Sequence, residues 1–445
     1  MISHLRALTG VLAVCASTAA CSDWLTDPEA ATNPNEPTTA DINSVFVGAQ
    51  TALTIQYTSD LARTACVWVQ QCAGTERQYQ LLGMYSYGED SYDANFSQVY
   101  TGGGLIDLRR LQALADSSGD AIYGGIARVM EAMQIGLAAD VWGDIPYSEA
   151  VGEATTPALD PQEEVYAAVQ AKLDTAITLL ESGEGPGPGP VDLYYGGDAD
   201  KWARLAHTLK ARYHLHTAER VGASAYAAAL AEAQQGIQQG EDFLGIADQN
   251  PQSNNAWYQF TVIQRAGYVF AGAHLVDLLK ARNDPRLEQF FLPNGAGEFV
   301  GASPGDQTAD FSGFAVENLP DYRQPIVTWA ENQLIIAEAA FRTGNTTLAA
   351  QAFNAVRQDV GLPTIASPTL NDILEEQYIT LFQNPEAWSF YKRTCFPQLT
   401  PAPGSANVPG RLLYSAGERN SNPNIPAPGA QPARNWNDPN ACTGA

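Results

Sequence analysis

Basic side chains are scarce in this chain: 24 Lys and Arg stand against 49 Asp and Glu in 445 residues, for a formal charge of −25 at pH 7. That excludes nucleic acid as a partner, since phosphate binding needs a basic footprint. The acidity speaks for solubility and not for any fold. Long apolar runs are missing too: the uncharged stretch from Ala7 to Ala20 falls short of the ~20 apolar residues that a permanent transmembrane helix requires, and no later stretch is long enough either. Histidines are few, at His4, His207, His214, His216 and His274, and no Cys-x-x-Cys occurs, which disfavours zinc. His214 and His216 are two apart in a helical stretch, so they point to different faces and read as structural. A phosphate loop, a Rossmann fingerprint and His-Glu-x-x-His are all absent, and neither a cofactor nor a metal is expected. Gly301-Ala302-Ser303-Pro304-Gly305 matches a nucleophile elbow only on paper, because the residue after the serine must donate an N–H to the oxyanion and proline has none.

What is present begins with a secretory signal: Arg6, the uncharged run, and then Ala19 and Ala20 before Cys21. Small residues next to the cysteine suit a lipoprotein signal peptidase, so residues 1–20 read as signal peptide and Cys21 as the lipidated residue. Thr18 is the departure, since an aliphatic residue is usual there. Cys15 competes with Leu12 and Ala13 in better register, but Val14 is a poor neighbour for cleavage. Ser22 and Asp23 do not resemble an inner-membrane retention signal, which directs the protein to the outer membrane, held by lipid alone. Residues 21–40 then form a flexible leader and residues 41–445 a single domain. Four cysteines remain, Cys66, Cys72, Cys395 and Cys442; an even number in an oxidising compartment implies two disulfides. Three connectivities fit, and the local pairing Cys66 with Cys72 plus Cys395 with Cys442 is the simplest.

Helical periodicity dominates the body. From Gln162, residues Val165, Val169, Leu173, Ala176 and Leu180 fall on one face, and the helix should stop near Gly183. A second helix should begin near Asp200 and a third, rich in alanine, should span Ala223 to Gln238. Gln333 to Phe341 and Thr347 to Arg357 read as a helical hairpin turning at Gly344; Ala337, Gly344, Ala349 and Phe353 have the small, turn, small and aromatic spacing of a tetratricopeptide repeat. The expected fold is all-α, a tetratricopeptide-repeat-like helical scaffold carrying long irregular ligand-binding loops. Gly185 to Pro190 is a surface loop, and the chain from Pro397 onward is loop wrapped back on the body if Cys442 is bridged.

An aromatic and polar run lies between two helical segments and contains Trp68, Gln70, Gln71, Arg77, Gln78, Tyr79, Tyr85, Tyr87, Tyr92, Phe96 and Tyr100. Glycine, serine, aspartate and asparagine interleave, which favours exposed loops over core. Asn254, Asn255, Trp257, Tyr258 and Gln259 form a second such cluster. Exposed Tyr and Trp offer apolar faces with polar edges, suited to the C–H faces and hydroxyls of a pyranose. The candidate ligand-binding residues are therefore Trp68, Arg77, Tyr79, Tyr85, Tyr87, Tyr92, Trp257 and Tyr258. With acids throughout the chain, no pair stands out as a glycosidase dyad.

The chain resembles the SusD/RagB family of outer-membrane nutrient-binding lipoproteins over nearly its whole mature length. The residues that carry this are the leader Cys21 to Pro37, Trp68 to Gln71, Asp140-Val-Trp-Gly-Asp-Ile-Pro-Tyr-Ser-Glu-Ala150, Lys201-Trp-Ala-Arg-Leu-Ala-His207 and Asn283-Asp-Pro-Arg-Leu287. Further on are Ala330-Glu-Asn-Gln-Leu334 with Ala337-Glu-Ala339, Glu386-Ala-Trp-Ser-Phe-Tyr-Lys-Arg-Thr394, and Arg411-Leu-Leu-Tyr414 through Glu418-Arg-Asn420. The resemblance implies a helical scaffold, a cell-surface lipid anchor, no catalysis, and capture of oligosaccharide or, by the same arrangement, oligopeptide for a SusC-like TonB-dependent transporter. It licenses no ligand residue, and Cys395 departs from it, standing where the family usually has glycine before the step Phe396-Pro397. Two other readings stand beside it: an extracellular glycosidase, and an adaptor without a small ligand, in which Trp257 and the tyrosine cluster would be buried.

Overall fold

The computed structural model describes residues 41–307, 309–316 and 319–442, so the signal, Cys21 and the leader lie outside the described residues. Helices form where apolar residues recur at helical spacing. In chain order they are α1 (Ile42–Thr58), α2 (Asp60–Trp68), α3 (Arg77–Gly83), α4 (Asp93–Tyr100), α5 (Leu105–Ser118), α6 (Ala121–Trp142), α7 (Gln162–Ser182), α8 (Ala199–Val221) and α9 (Ala223–Ala233). After an irregular stretch come α10 (Ala273–Arg282), α11 (Arg286–Phe290), α12 (Trp329–Arg342), α13 (Thr346–Asp359), α14 (Leu370–Thr380), α15 (Glu386–Thr394) and α16 (Ala416–Ser421). The fold is mainly helical. To the expected helices the structure adds two small antiparallel pairs, β1 (Cys72–Gly74) with β3 (Val269–Ala271) and β2 (Phe243–Leu244) with β4 (Pro325–Val327). No helix among the described residues is long and apolar enough to cross a membrane.

The scaffold is a stack of neighbours: α5 lies on α6, α6 on α7, α7 on α8, α8 on α9, α9 on α12, and α12 on both α13 and α14. Most helices bury their stripe chiefly against their neighbours in the stack, the logic of a tetratricopeptide array, while α8 also touches α6, α12 and α15. In α7, Glu163 and Glu164 sit in the first turn, where the helix dipole favours them, and Gly183 ends the helix at φ +65°. The expected small and aromatic positions of the α12–α13 hairpin, Ala337, Ala349 and Phe353, are fully buried, and Gly344 turns at φ +87°. One boundary differs. α9 stops at Ala233 and not at Gln238, because Asn332 of α12 donates its side-chain N–H to the Ala233 carbonyl at 2.9 Å and Gly236 is pressed against Thr208 and Asn332.

α6 is buried on almost every face and depends on close approach. A Cβ on Gly136 would fall inside the phenol of Tyr213. Gly136→Ala is therefore expected to cost about 1–3 kcal/mol by overpacking, read as a lower urea midpoint with unchanged m.

The buried layer between helices is ionic as well as apolar. Arg393 meets both oxygens of Glu338 at 2.6 and 2.7 Å, and Arg212 meets both of Glu331 at 2.7 Å. Arg286 bridges Asp284 and Glu376, while Arg282 reaches Glu376 at 2.6 Å. His216 stands between Asp140 and Glu386, its Nδ1 2.7 Å from the first and its Nε2 2.8 Å from the second. Asp140, Asp284, Arg286, Glu338, Glu386 and Arg393 all belong to the stretches that carry the family resemblance, so those stretches hold the scaffold together. The sulfur pairs are Cys66 with Cys72 and Cys395 with Cys442. Cys395 ends α15 at φ +51°, a left-handed conformation that favours glycine, which accounts for the glycine usual there in the family.

Candidate functional site

Of the aromatic run, Phe96 and Tyr100 line one cavity, while Gln78, Tyr79, Tyr87 and Tyr92 line another, of about 530 Å³, between α2, α3 and the turn Glu89–Tyr92. Tyr79, Tyr92, Thr64 and Phe260 form its floor; Asp60, Gln78, Leu81, Ser86, Tyr87 and Ser91 form its walls. The floor is built first. Arg63, buried in α2, donates from Nε to the Tyr79 hydroxyl at 2.7 Å, pairs with Asp60, and lies 4.3 Å over the Phe260 ring. Burial opposes its charge, but Tyr79 and Asp60 more than offset that and hold its pKa above the ordinary arginine value. The Tyr92 and Thr64 hydroxyls share a hydrogen bond of 2.8 Å, and the Tyr87 O–H donates to the Arg411 carbonyl at 2.9 Å. Burial raises the phenols of Tyr79 and Tyr92 and pushes that of Tyr87 up to about 12, so all three stay protonated at physiological pH.

The eight candidate residues separate. Tyr79, Tyr87 and Tyr92 line one cavity, but Tyr79 and Tyr92 are 6% and 5% exposed, so they are its floor and only Tyr87 shows a substantial face. Trp68 is fully buried, which corrects its expected exposure. It lies behind the cavity, 5.1 Å from the Tyr87 ring and 4.8 Å from Trp388, and its Nε1–H donates to the Leu82 carbonyl at 3.0 Å. The same correction applies to Trp257, fully buried with its ring 5.4 Å from that of Phe314. Tyr85 packs edge-on to the far side of Trp68, and neither it, Arg77 nor Tyr258 lines the cavity. Arg77 is exposed and pairs with Glu76 at 3.5 Å.

Some lining residues escaped the sequence reading. Asp60 and Thr64 stand on α2, the helix on which the aromatic run begins at Trp68, and a helical spacing of four puts both on one face. Phe260 lies one residue beyond the second aromatic cluster, carried in by the π-helical turn Gln259–Gln264. The two clusters do converge, through Phe260 and not through Trp257.

Among the described residues, Asp140, His216 and Glu386 offer ligand atoms within 4.8 Å of one another. The geometry fits a proton better than a metal ion. Both imidazole nitrogens already face a carboxylate at hydrogen-bond distance, and a metal could take only one of them. Burial disfavours the imidazolium, but Asp140 and Glu386 outweigh it and raise the pKa to about 10.

A family model described as SusD-like, starch-binding associating with outer membrane, matches residues 34–415. No curated protein matches the chain. The chain is similar in structure to a SusD/RagB family protein from Bacteroides thetaiotaomicron, with TM-score 0.77, 20% identity and coverage of 91% of this chain and 100% of that one. It is also similar to a chitin-binding SusD homolog from Flavobacterium johnsoniae, with TM-score 0.75, 19% identity and coverage of 90% and 99%. A further structure, described as a chitin-binding protein, has TM-score 0.76, 22% identity and coverage of 90% and 100%.

Proposed function

The chain belongs to the SusD-like family of outer-membrane nutrient-binding proteins, and from that premise we propose that it captures an oligosaccharide in the Tyr87 cavity and delivers it to a SusC-like TonB-dependent transporter. Proteins of this family bind and do not catalyse. The observation that carries the ligand class is the cavity itself: the accessible Tyr87 ring stands over an aromatic floor, with the Gln78 amide and the Ser86 and Ser91 hydroxyls around it. A flat apolar face edged by an amide, hydroxyls and the Asp60 carboxylate, all able to hydrogen-bond sugar hydroxyls, suits a pyranose. The burial of Trp257 and of the tyrosine floor agrees with the adaptor reading, but an adaptor has no use for an aromatic-floored cavity of about 530 Å³.

Chitin oligosaccharides are the first probe, since two of the similar structures are described as binding chitin; at 22% and 19% identity they share the fold alone. In calorimetry with these and a wider glycan panel, Tyr87→Ala or Gln78→Ala is expected to weaken binding about tenfold, ~1.4 kcal/mol; Gln78 is exposed, so Gln78→Ala should leave the melting temperature nearly unchanged, whereas Tyr87→Ala also removes packing against Trp68 and should lower it. Binding of oligopeptides alone would select the peptide alternative. Turnover of an oligosaccharide would select the glycosidase. Anchoring is proposed through lipid on Cys21, which the mass of the mature N-terminus decides, and co-purification with a TonB-dependent barrel from detergent extracts checks the partner.

A further inference from the structure

A second cleft has the opposite electrostatic character to the rest of the chain. It lies where the C-terminal tail closes over the end of α6, has a volume of about 300 Å³, and is lined by Arg220, Arg411, Arg434, Trp436, Asp144 and Asp438 among others. In a chain of net charge −25, three arginines line this one cleft, and none of them forms a salt bridge among the described residues. Arg411 is only 3% exposed. Its Nε donates to the Leu412 carbonyl at 3.1 Å, and its Nη2 has no hydrogen-bond partner. Arg434 spends its donors on the carbonyls of Asp438 at 3.0 Å and Lys392 at 3.3 Å, and burial holds its pKa below the ordinary arginine value. Arg220 is exposed; it donates to the Trp436 carbonyl and lies 5.8 Å from the Trp436 ring centroid.

Two carboxylates also belong to the lining. Asp144 Oδ1 accepts the Gln162 N–H at 2.8 Å, and Asp438 lies 3.3 Å from Lys392 and acts on Arg434, which leaves Arg220 and Arg411 as the cations open to a ligand. A buried guanidinium without an anion is costly, and its planar fork matches a carboxylate in bidentate fashion. The half-buried Trp436 ring beside it offers an apolar platform. The volume lies at the low end of the roughly 300–1,000 Å³ of small-molecule sites and suits one ring. From this we infer that the cleft binds an acidic sugar, a hexuronate residue, whose ring lies on Trp436 and whose carboxylate meets Arg220 and Arg411. The site is distinct from the Tyr87 cavity: the two share no lining residue, and Arg411, which lines this cleft, is hydrogen-bonded to Tyr87 through its backbone carbonyl.

Calorimetry on the intact mature protein with digalacturonate, the neutral digalactose and sodium sulfate tests this. Digalacturonate is expected to bind at least tenfold more tightly than either of the others, and Arg220→Gln and Trp436→Ala are each expected to weaken it at least tenfold. Both positions are at the surface, so melting temperatures should hold. Binding of sulfate or of digalactose as tight as that of digalacturonate overturns the inference, as does absence of digalacturonate binding or unchanged affinity in both variants. The inference rests on the glycan reading only for the class of ligand, and its failure is separable from that of the Tyr87 cavity. Gln78→Ala, on the exposed wall of the Tyr87 cavity, should leave digalacturonate binding intact, and Arg220→Gln should leave binding in the Tyr87 cavity intact.

Discussion

His216→Ala is expected to cost about 3–5 kcal/mol of stability, the range for removing one partner from a buried ionic cluster. The imidazole is 2% exposed and joins α8 to α6 through Asp140 and to α15 through Glu386. Without it two buried carboxylates face one another across a cavity, with Arg212 near only one of them, 3.7 Å from Glu386. The same residue fixes a pH dependence. Its folded pKa is raised from 6.5 to about 10 despite burial, because both carboxylates favour the charged ring. A raised folded pKa gives stability that is complete below the unfolded value, so the contribution is full below pH 6.5 and declines until it is lost above about pH 10. Urea melts at pH 6, 8 and 9.5 should show the wild type losing stability along this window and His216→Ala losing much less. A wild-type profile that stays flat through it would sink the charged-imidazole account.

The helices were legible in the sequence because burial imposes a period, and α7, α8 and the α12–α13 hairpin fall close to their expected bounds. The end of α9 was not, since a side chain from α12, Asn332, terminates it and no local pattern announces a partner so far along the chain. The aromatic cavity was half legible. Tyr79, Tyr87 and Tyr92 were found from composition, but composition cannot separate a tryptophan that faces ligand from one that supports the floor: Trp68 and Trp257 have the same neighbours in sequence that an exposed ring would have. His216 was read as structural for a reason of helical geometry, but its carboxylate partners lie on α6 and α15, out of reach of any spacing argument. The three-arginine cleft was invisible for the same cause. Arg220, Arg411 and Arg434 come from two distant stretches, and only the return of the tail over α6 brings them into one cleft.

The return of the tail also yields the second large effect. Cys395 and Cys442 are separated by 47 residues and Cys66 and Cys72 by 6, and a crosslink that closes the longer loop removes more entropy from the unfolded chain. Cys395→Ser with Cys442→Ser is expected to cost about 2–4 kcal/mol, and Cys66→Ser with Cys72→Ser roughly 2 kcal/mol less by loop closure alone. The native tail has other anchors: Asn435 donates to the Asp140 carbonyl at 2.7 Å, Asn437 to the His216 carbonyl at 3.1 Å, and Trp142 and Trp388 to carbonyls of Leu413 and Pro409. Losing the crosslink should therefore lower the denaturant midpoint without releasing the tail at neutral pH. The backbone at Cys395 supplies the control. With φ at +51°, serine keeps the left-handed strain while glycine relieves it, so Cys395→Gly with Cys442→Ser should be more stable than the double serine variant by about 0.5–1 kcal/mol. Equal losses from the two disulfides would sink the loop-length account. Equal stability of the glycine and serine variants would instead show that the chain at Cys395 relaxes out of the left-handed region once the sulfur bridge is gone.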